Sequence, residues 1–245
     1  MQIYAKMDIG KVRAVNQDAF FTKELGGGTV FAAVCDGMGG ANAGNVASGK
    51  AISVISEYVE RSFRPGMTAD DAAKMLKRAI ESANMEIYDM ACKDAQLTGM
   101  GTTAVTAIVC DDYAVVVHVG DSRAYLVGDK LKQLTRDHSV VQSLIESGKL
   151  TKDQAKVDPR KNVITRALGV EADVLSDCCE FFISEGESLL LCTDGLTNFI
   201  EPEEIAKQFR ENDISAVPQN LINLANHNGG GDNITVVVIT NRAVG

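Results

Sequence analysis

Apolar positions in this chain fall into two patterns: short continuous runs that stop at an acid beside glycine, and longer stretches with helical spacing. Thr29 to Gly40 shows the first pattern most clearly. The run Val30 to Cys35 stops at Asp36 and breaks into Gly37-Met38-Gly39-Gly40. A run of that length bounded by glycines predicts a strand buried on both faces. Tyr113 to Val119 leads in the same way into Gly120-Asp121, and Ser188 to Thr193 into Asp194-Gly195. Gly229-Gly230-Gly231-Asp232 stands just before the strand-like Ile234 to Thr240.

Between these landmarks, Ile3 to Asp8 alternates like a strand. A polar turn, Arg13 to Asp18, then feeds a short strand, Ala19 to Thr22, and Gly26-Gly27-Gly28 reads as a hairpin connection. Helical spacing of Val46, Ile52, Ile55 and Val59 predicts a helix over Ala41 to Arg61. Thr68 with Asp71 reads as a capping box for a second helix, Ala69 to about Ala95, with Leu76, Ile80, Ala83, Ile87 and Met90 as its apolar stripe. Thr102 to Cys110, Tyr113 to Val119, Arg123 to Val127 and Lys130 to Leu134 are spaced too closely for crossover helices, so they predict antiparallel hairpins. From Ser139 to Gly169 the pattern weakens into a charged surface excursion that could cover a site. Strands return at Val174 to Ile183 and Ser188 to Cys192. Pro202 opens a helix to about Arg210, Ser215 is expected to cap another through about Asn226, and Thr235 to Thr240 is the last strand.

Many antiparallel strands with helices entering in pairs imply sheets covered by helices on the outside. With no linker, repeat or low-complexity segment, a single domain over 1–245 is expected. A net charge of −9 argues against nucleic-acid and anionic-membrane partners. The N-terminus has no basic region followed by an apolar stretch, and no run reaches membrane-spanning length, so a cytoplasmic location is expected. The six cysteines show no zinc spacing with the three histidines. Cys35, Cys110 and Cys192 fall in buried-strand patterns and read as structural thiols. His118 reads as a hydrogen-bonded core residue, His138 as structural and His227 as a helix-end residue.

Any one Asp-Gly pair is ordinary turn chemistry. Four acids at the ends of strong strands are another matter, because converging carboxylates repel unless a cation sits among them. Oxygen-only donors select hard divalent ions, Mg²⁺ or Mn²⁺. Two such ions would neutralise phosphoryl oxygens and activate a water. Asp36 is the natural bridging ligand, with the Gly37 carbonyl beside it, and Arg13 offers a fork for phosphate.

As a set, these segments resemble the metal-dependent protein phosphatases of type 2C, in their short bacterial form. The matching stretches run in family order: Arg13-x-x-Asn16-Gln17-Asp18, Asp36-Gly37-Met38-Gly39-Gly40, Gly99-Met100-Gly101-Thr102-Thr103 and Val119-Gly120-Asp121-Ser122-Arg123. They continue with Leu134-Thr135-Arg136-Asp137-His138-Ser139, Thr165-Arg166-Ala167-Leu168-Gly169, Thr193-Asp194-Gly195-Leu196 and Gly231-Asp232-Asn233-Ile234-Thr235. The resemblance implies an α+β fold: a four-layer αββα sandwich of two mainly antiparallel β-sheets flanked by helix pairs. It implies a Ser/Thr phosphatase that hydrolyses phosphoserine and phosphothreonine by attack of a metal-bridging water.

It also implies that Asp36, Asp194 and Asp232 bind one ion, and Asp36 with the Gly37 carbonyl the other, Mn²⁺ or Mg²⁺. Asp18 would lie in the second ion's shell, and Asp121 with Asp194 would form a third, weaker position. Arg13 would bind the substrate phosphate. About 145–169 would be a flap beside the site. The expected partners are phosphorylated proteins, including a Ser/Thr kinase and its substrates, met by a monomer. Where many eukaryotic relatives carry a His proposed as general acid, this chain has Met38, so the leaving group's proton must come from elsewhere, such as a metal-bound water.

Two other readings compete. One is a catalytically silent phosphoprotein-binding module, although no metal acid is missing. The other is a nucleotide hydrolase, since Gly44 to Lys50 fits G-x-x-x-x-G-K. There Ala51 replaces the hydroxyl residue that should hold Mg²⁺.

Overall fold

The computed structural model describes residues 1–40, 43–111 and 113–241. The chain opens with strands β1 (Gln2–Asp8), β2 (Asp18–Gly26) and β3 (Thr29–Met38), then helices α1 (Ala43–Ser62) and α2 (Ala69–Lys93). A 3-10 turn at Ala95–Leu97 leads to β4 (Gly101–Thr102), β5 (Ala104–Val109), β6 (Ala114–Val119), β7 (Arg123–Val127) and β8 (Leu131–Gln133). Two short helices follow, α3 (Val140–Glu146) and α4 (Lys152–Val157). The rest is β9 (Asp177–Phe181), β10 (Ser188–Cys192), one-turn α5 (Asp194–Thr197), α6 (Pro202–Glu211), α7 (Val217–His227) and β11 (Ile234–Thr240).

Every strand pairing is antiparallel. One sheet has the order β1-β11-β10-β7-β8, the other β2-β3-β5-β6-β9, with β4 on the end of β3. Period-two alternation sorts the strand side chains between two interiors. Val30, Ala32 and Val34 of β3 meet Leu189 and Leu191 of β10 and Val237 and Ile239 of β11 in the space between the sheets. Phe31, Ala33 and Cys35 face the other way, onto Ala47, Ile55, Leu76 and Ile80 of α1 and α2. On the outer face of the first sheet, Leu190 and Val238 meet Ile205 and Phe209 of α6 and Leu221 of α7. Four layers result, helix pair, sheet, sheet, helix pair, as the resemblance implied.

Local departures from the expected elements have local causes. The first two residues assigned to the first helix, 41 and 42, lie outside the described residues. The strand expected over Thr102 to Cys110 breaks at Thr103, whose amide and hydroxyl both turn onto Asp36. Cys110, expected in a strand, sits just past β5 and is partly exposed. The strand expected over Val174 to Ile183 shrinks to β9, since it pairs with β6 only from Asp177 to Phe181. Ser215 does not cap α7: its amide and hydroxyl both donate to Asp213 Oδ1, and Ala216 takes the cap position. The G-x-x-x-x-G-K stretch lies inside α1, with the Lys50 Nζ 3.5 Å from a Glu86 carboxylate oxygen, so it forms no phosphate loop.

Candidate active site

The two sheets bring the predicted acids to one end of the sandwich. Asp36 is not at the tip of its strand but two residues inside it, because β4 extends the pairing to Gly37 and Met38. There it stands directly across from Asp18 in the β2–β3 register. Its backbone is clamped on both sides: the Asp36 amide donates to Thr103 Oγ1 at 3.0 Å, and its carbonyl accepts from the Thr102 hydroxyl at 2.8 Å and the Thr103 amide at 2.9 Å. Asp194 arrives at the first residue of α5, where a Cβ on the neighbouring Gly195 would lie 1.9 Å from the Asn233 carbonyl oxygen. Only glycine lets those two segments approach so closely.

Electrostatics show the convergence. The carboxyl of Asp36 is raised well above the usual range by desolvation, then by the charges of Asp18, Asp194, Asp121 and Asp232. Asp18 is pushed to about 7 by burial, with the hydroxyls of Thr235 and Thr193 opposing the shift and Asp194 and Asp232 adding to it. Asp121 also rises to about 7, through desolvation and then Asp194. Asp194 is raised by burial and then by the charge of Asp232.

Among the described residues, two buried carboxylate oxygens accept no hydrogen bond. Asp18 Oδ2 accepts from Thr193 at 2.9 Å and Thr235 at 2.7 Å, but Oδ1 is buried and unpaired. Asp194 Oδ2 accepts from Asn198 at 2.9 Å, and again Oδ1 is buried and unpaired. Buried, unpaired acceptors among mutually repelling acids are what a hard divalent cation satisfies. The donor set therefore fits Mg²⁺ or Mn²⁺.

Arg13 reaches this centre from the loop between β1 and β2. Its Nη2 donates to Asp232 Oδ2 at 2.8 Å, and the side chain is half exposed. Gly37 follows Asp36 in β3, and a Cβ on Gly44 would lie 2.7 Å from the Gly37 carbonyl oxygen. A cavity of about 590 Å³ opens beside the acids, running from Asp121 and Asp194 past Arg123 to Ile145, Lys156 and Glu201. Val141 and Ile145 of α3 and Ala155 of α4 line it. Met38 borders a second, smaller cavity of about 320 Å³ with Val170 and Leu175.

A family profile described as Protein phosphatase 2C matches residues 11–219. The chain belongs to the type 2C protein phosphatase family. The phosphatase is 40% identical over 238 residues to the serine/threonine phosphatase stp of Listeria innocua, covering 96% of this chain and 93% of that one. Its fold matches the serine/threonine phosphatase of S. agalactiae with a TM-score of 0.90, at 35% identity and with 98% of each chain covered. It also matches the catalytic domain of the serine/threonine phosphatase PstP, solved in complex with two manganese ions, with a TM-score of 0.82 at 31% identity over 97% of this chain and 96% of that one. The enzyme is thus a metal-dependent serine/threonine phosphatase, and phosphorylated proteins are its substrates.

Thr193, Asn233 and Thr235 stand in the matched stretches, but their supporting roles are not legible in the sequence. Thr193 and Thr235 hold Asp18. Asn233 holds the Arg13 loop, accepting from the Gln17 amide at 2.8 Å and donating to Ile9 and Val15 carbonyls at 2.9 and 3.1 Å. Each lies within three residues of a predicted acid, which was the available signal.

Proposed function

We propose that Asp36, Asp194 and Asp232 hold one divalent cation and Asp36 with the Gly37 carbonyl a second, Mn²⁺ or Mg²⁺, with Asp18 behind the second. Asp121 with Asp194 offers a third, weaker position. The observation that carries this reading is the pair of orphaned buried oxygens, Asp18 Oδ1 and Asp194 Oδ1, among acids that raise one another's pKa. When bound, the ions supply an activated water and neutralise phosphoryl charge.

The chain's own residues do the rest. Thr102 and Thr103 fix Asp36, and the Thr193 and Thr235 hydroxyls keep Asp18 turned toward the centre. Arg13 donates one N–H to Asp232 Oδ2. The rest of its guanidinium fork would take phosphate oxygens and orient the phosphoserine or phosphothreonine. Met38 has no proton to give, so this side chain does not protonate the leaving oxygen.

The substrates are read as targets of a bacterial Ser/Thr kinase, and the kinase itself, met in the cytoplasm by a monomer. Among the described residues no helix is long and apolar enough to cross a membrane. Residues 1–245 are read as one domain, with about 145–169 as a flap. The test is release of phosphate from a phosphothreonine peptide with Mn²⁺, with chelator and Asp36→Ala as controls. Activity should need Mn²⁺ and vanish in the variant. Undiminished turnover in Asp36→Ala would remove this site from the reaction.

A further inference from the structure

A cluster of titratable side chains stands apart from the acid centre. His118 on β6, His138 after β8 and Asp177 on β9 present nitrogen and oxygen atoms within 4.8 Å of one another, and both histidines are buried. Such a trio could suit a transition metal. Its hydrogen bonds say otherwise. The Gly120 amide donates to His138 Nδ1 at 3.0 Å, so that nitrogen carries no proton. In a neutral imidazole the proton then sits on Nε2, which faces Asp177 Oδ2 at 3.3 Å beside Arg166 Nη1 at 3.1 Å, whose own hydrogen goes to Asp177 Oδ1. His118 Nε2 lies 2.9 Å from the Arg136 carbonyl oxygen, which can only accept. Burial, and for His138 the neighbouring His118 ring stacked at 4.8 Å, lower both histidines and favour these neutral forms. A metal on His138 Nε2 would require a ring stripped of both protons.

The cluster fastens two parts of the active site instead. We propose that His138 is a positioning residue that ties the Gly120–Asp121 corner, which presents Asp121 to the centre, to the root of the flap. Toward the corner, His138 makes two bonds: its amide donates to the Gly120 carbonyl at 2.9 Å and its ring accepts from the Gly120 amide. Toward the flap, its carbonyl accepts from the Thr165 amide at 2.7 Å, Ser139 bridges Ile164, and its ring reaches Asp177, which Arg166 also grips at 3.0 Å. Gly120 has φ +104°, and a Cβ there would come within 2.5 Å of Thr103 Cγ2, on the residue whose hydroxyl receives the Asp36 amide. Ser122 fastens one side of the corner to Thr103, Oγ to Oγ1 at 2.7 Å, and His138 fastens the other. The inference rests on reading Asp121 as a cation ligand.

Two substitutions separate the halves of the clamp. Asparagine places an oxygen near Nδ1 and can still accept from Gly120, but it falls short of Asp177. Glutamine places its amide near Nε2 and leaves the Gly120 amide without an acceptor. Calorimetric titration of Mn²⁺ into the metal-free full-length enzyme, alongside phosphopeptide kinetics, reads the result. His138→Gln should weaken the weakest Mn²⁺ association about tenfold, as loss of outer support at a metal site typically does. His138→Asn should leave the Mn²⁺ isotherm as in the wild type and raise KM for the phosphopeptide, a phenotype shared with Asp177→Asn and not deepened in the double variant. Should the Gln chain not fold, that shared phenotype carries the test. Equal loss of Mn²⁺ affinity in the Asn and Gln variants would overturn the inference, as would a wild-type isotherm for Gln. An Asp121→Ala isotherm identical to the wild type would overturn the reading of the centre and this inference with it. A shift in Asp121→Ala without one in His138→Gln would sink this inference alone.

Discussion

At the scale of single residues, the centre depends as much on neutral hydroxyls as on acids. Asp18 is a buried carboxylate, and two threonine protons on Oδ2 stabilise its ionised form against burial. Thr235→Val removes one of them, so the Asp18 pKa should climb above about 7 and a cation must displace a proton to bind. Mn²⁺ affinity should drop about tenfold, with a larger deficit below neutrality than above it, and Thr235→Ser should restore it. Mn²⁺ titrations at the two pH values check this, and a deficit that ignores pH would count against the hydroxyl's role. The acids themselves were legible because an apolar run fixes where its last residue emerges. The threonines were not, since a hydroxyl beside a strand reads as ordinary strand composition. Only the fold reveals that Thr193 and Thr235, 42 positions apart, converge on one oxygen.

At the scale of elements, the sequence was clearest where burial is two-sided. β3 and β10 read as continuous runs because each faces one core between the sheets and another under helices. It was least clear where a polar side chain reaches a distant partner. Asn84 interrupts the apolar face of α2 and is 1% exposed. Its amide nitrogen donates to the Glu171 and Ala172 carbonyls at 3.0 and 2.9 Å, while its oxygen accepts from the Gly169 amide at 2.7 Å. This pins the end of the proposed flap to the helix layer. A lone buried asparagine signals such a role, but no spacing rule names a partner 85 residues away. Asn84→Ala orphans three main-chain groups and should cost about 2–4 kcal/mol. Urea unfolding should show a lower midpoint at unchanged slope. Protease cleavage near Gly169 to Ala172 should quicken more than elsewhere, and uniform quickening would deny the pin its local role.

At the scale of the whole molecule, the acid centre links stability to pH and to metal. Without cations, Asp18 and Asp121 are pushed up to about 7 and burial holds Asp36 well above the usual carboxylate range, against about 3.9 in an unfolded chain. Between those values the folded state holds protons that the unfolded chain has released, so stability falls as pH rises through the folded pKa values. His118 and His138 act in the opposite sense. Held neutral by burial, they lose stability only as pH falls below about 6.5, where the unfolded histidines charge. Above about 6.5 the acids therefore set the slope. In chelator, the melting temperature should decline as pH rises from about 6.5 through 7, where Asp18 and Asp121 finish ionising. With Mn²⁺ at about a hundred times its Kd, binding adds about 2.7 kcal/mol and strengthens as the acids deprotonate, so the melting temperature should hold or rise over the same range. Asp36→Asn decides whether repulsion among these acids is the cause. It keeps the shape of the side chain and removes a charge opposed by burial and by Asp18, Asp194, Asp121 and Asp232. The metal-free variant should be more stable than the wild type above neutrality, with a flatter slope, and should gain less from Mn²⁺. Equal slopes in the two proteins would place the pH dependence elsewhere in the chain.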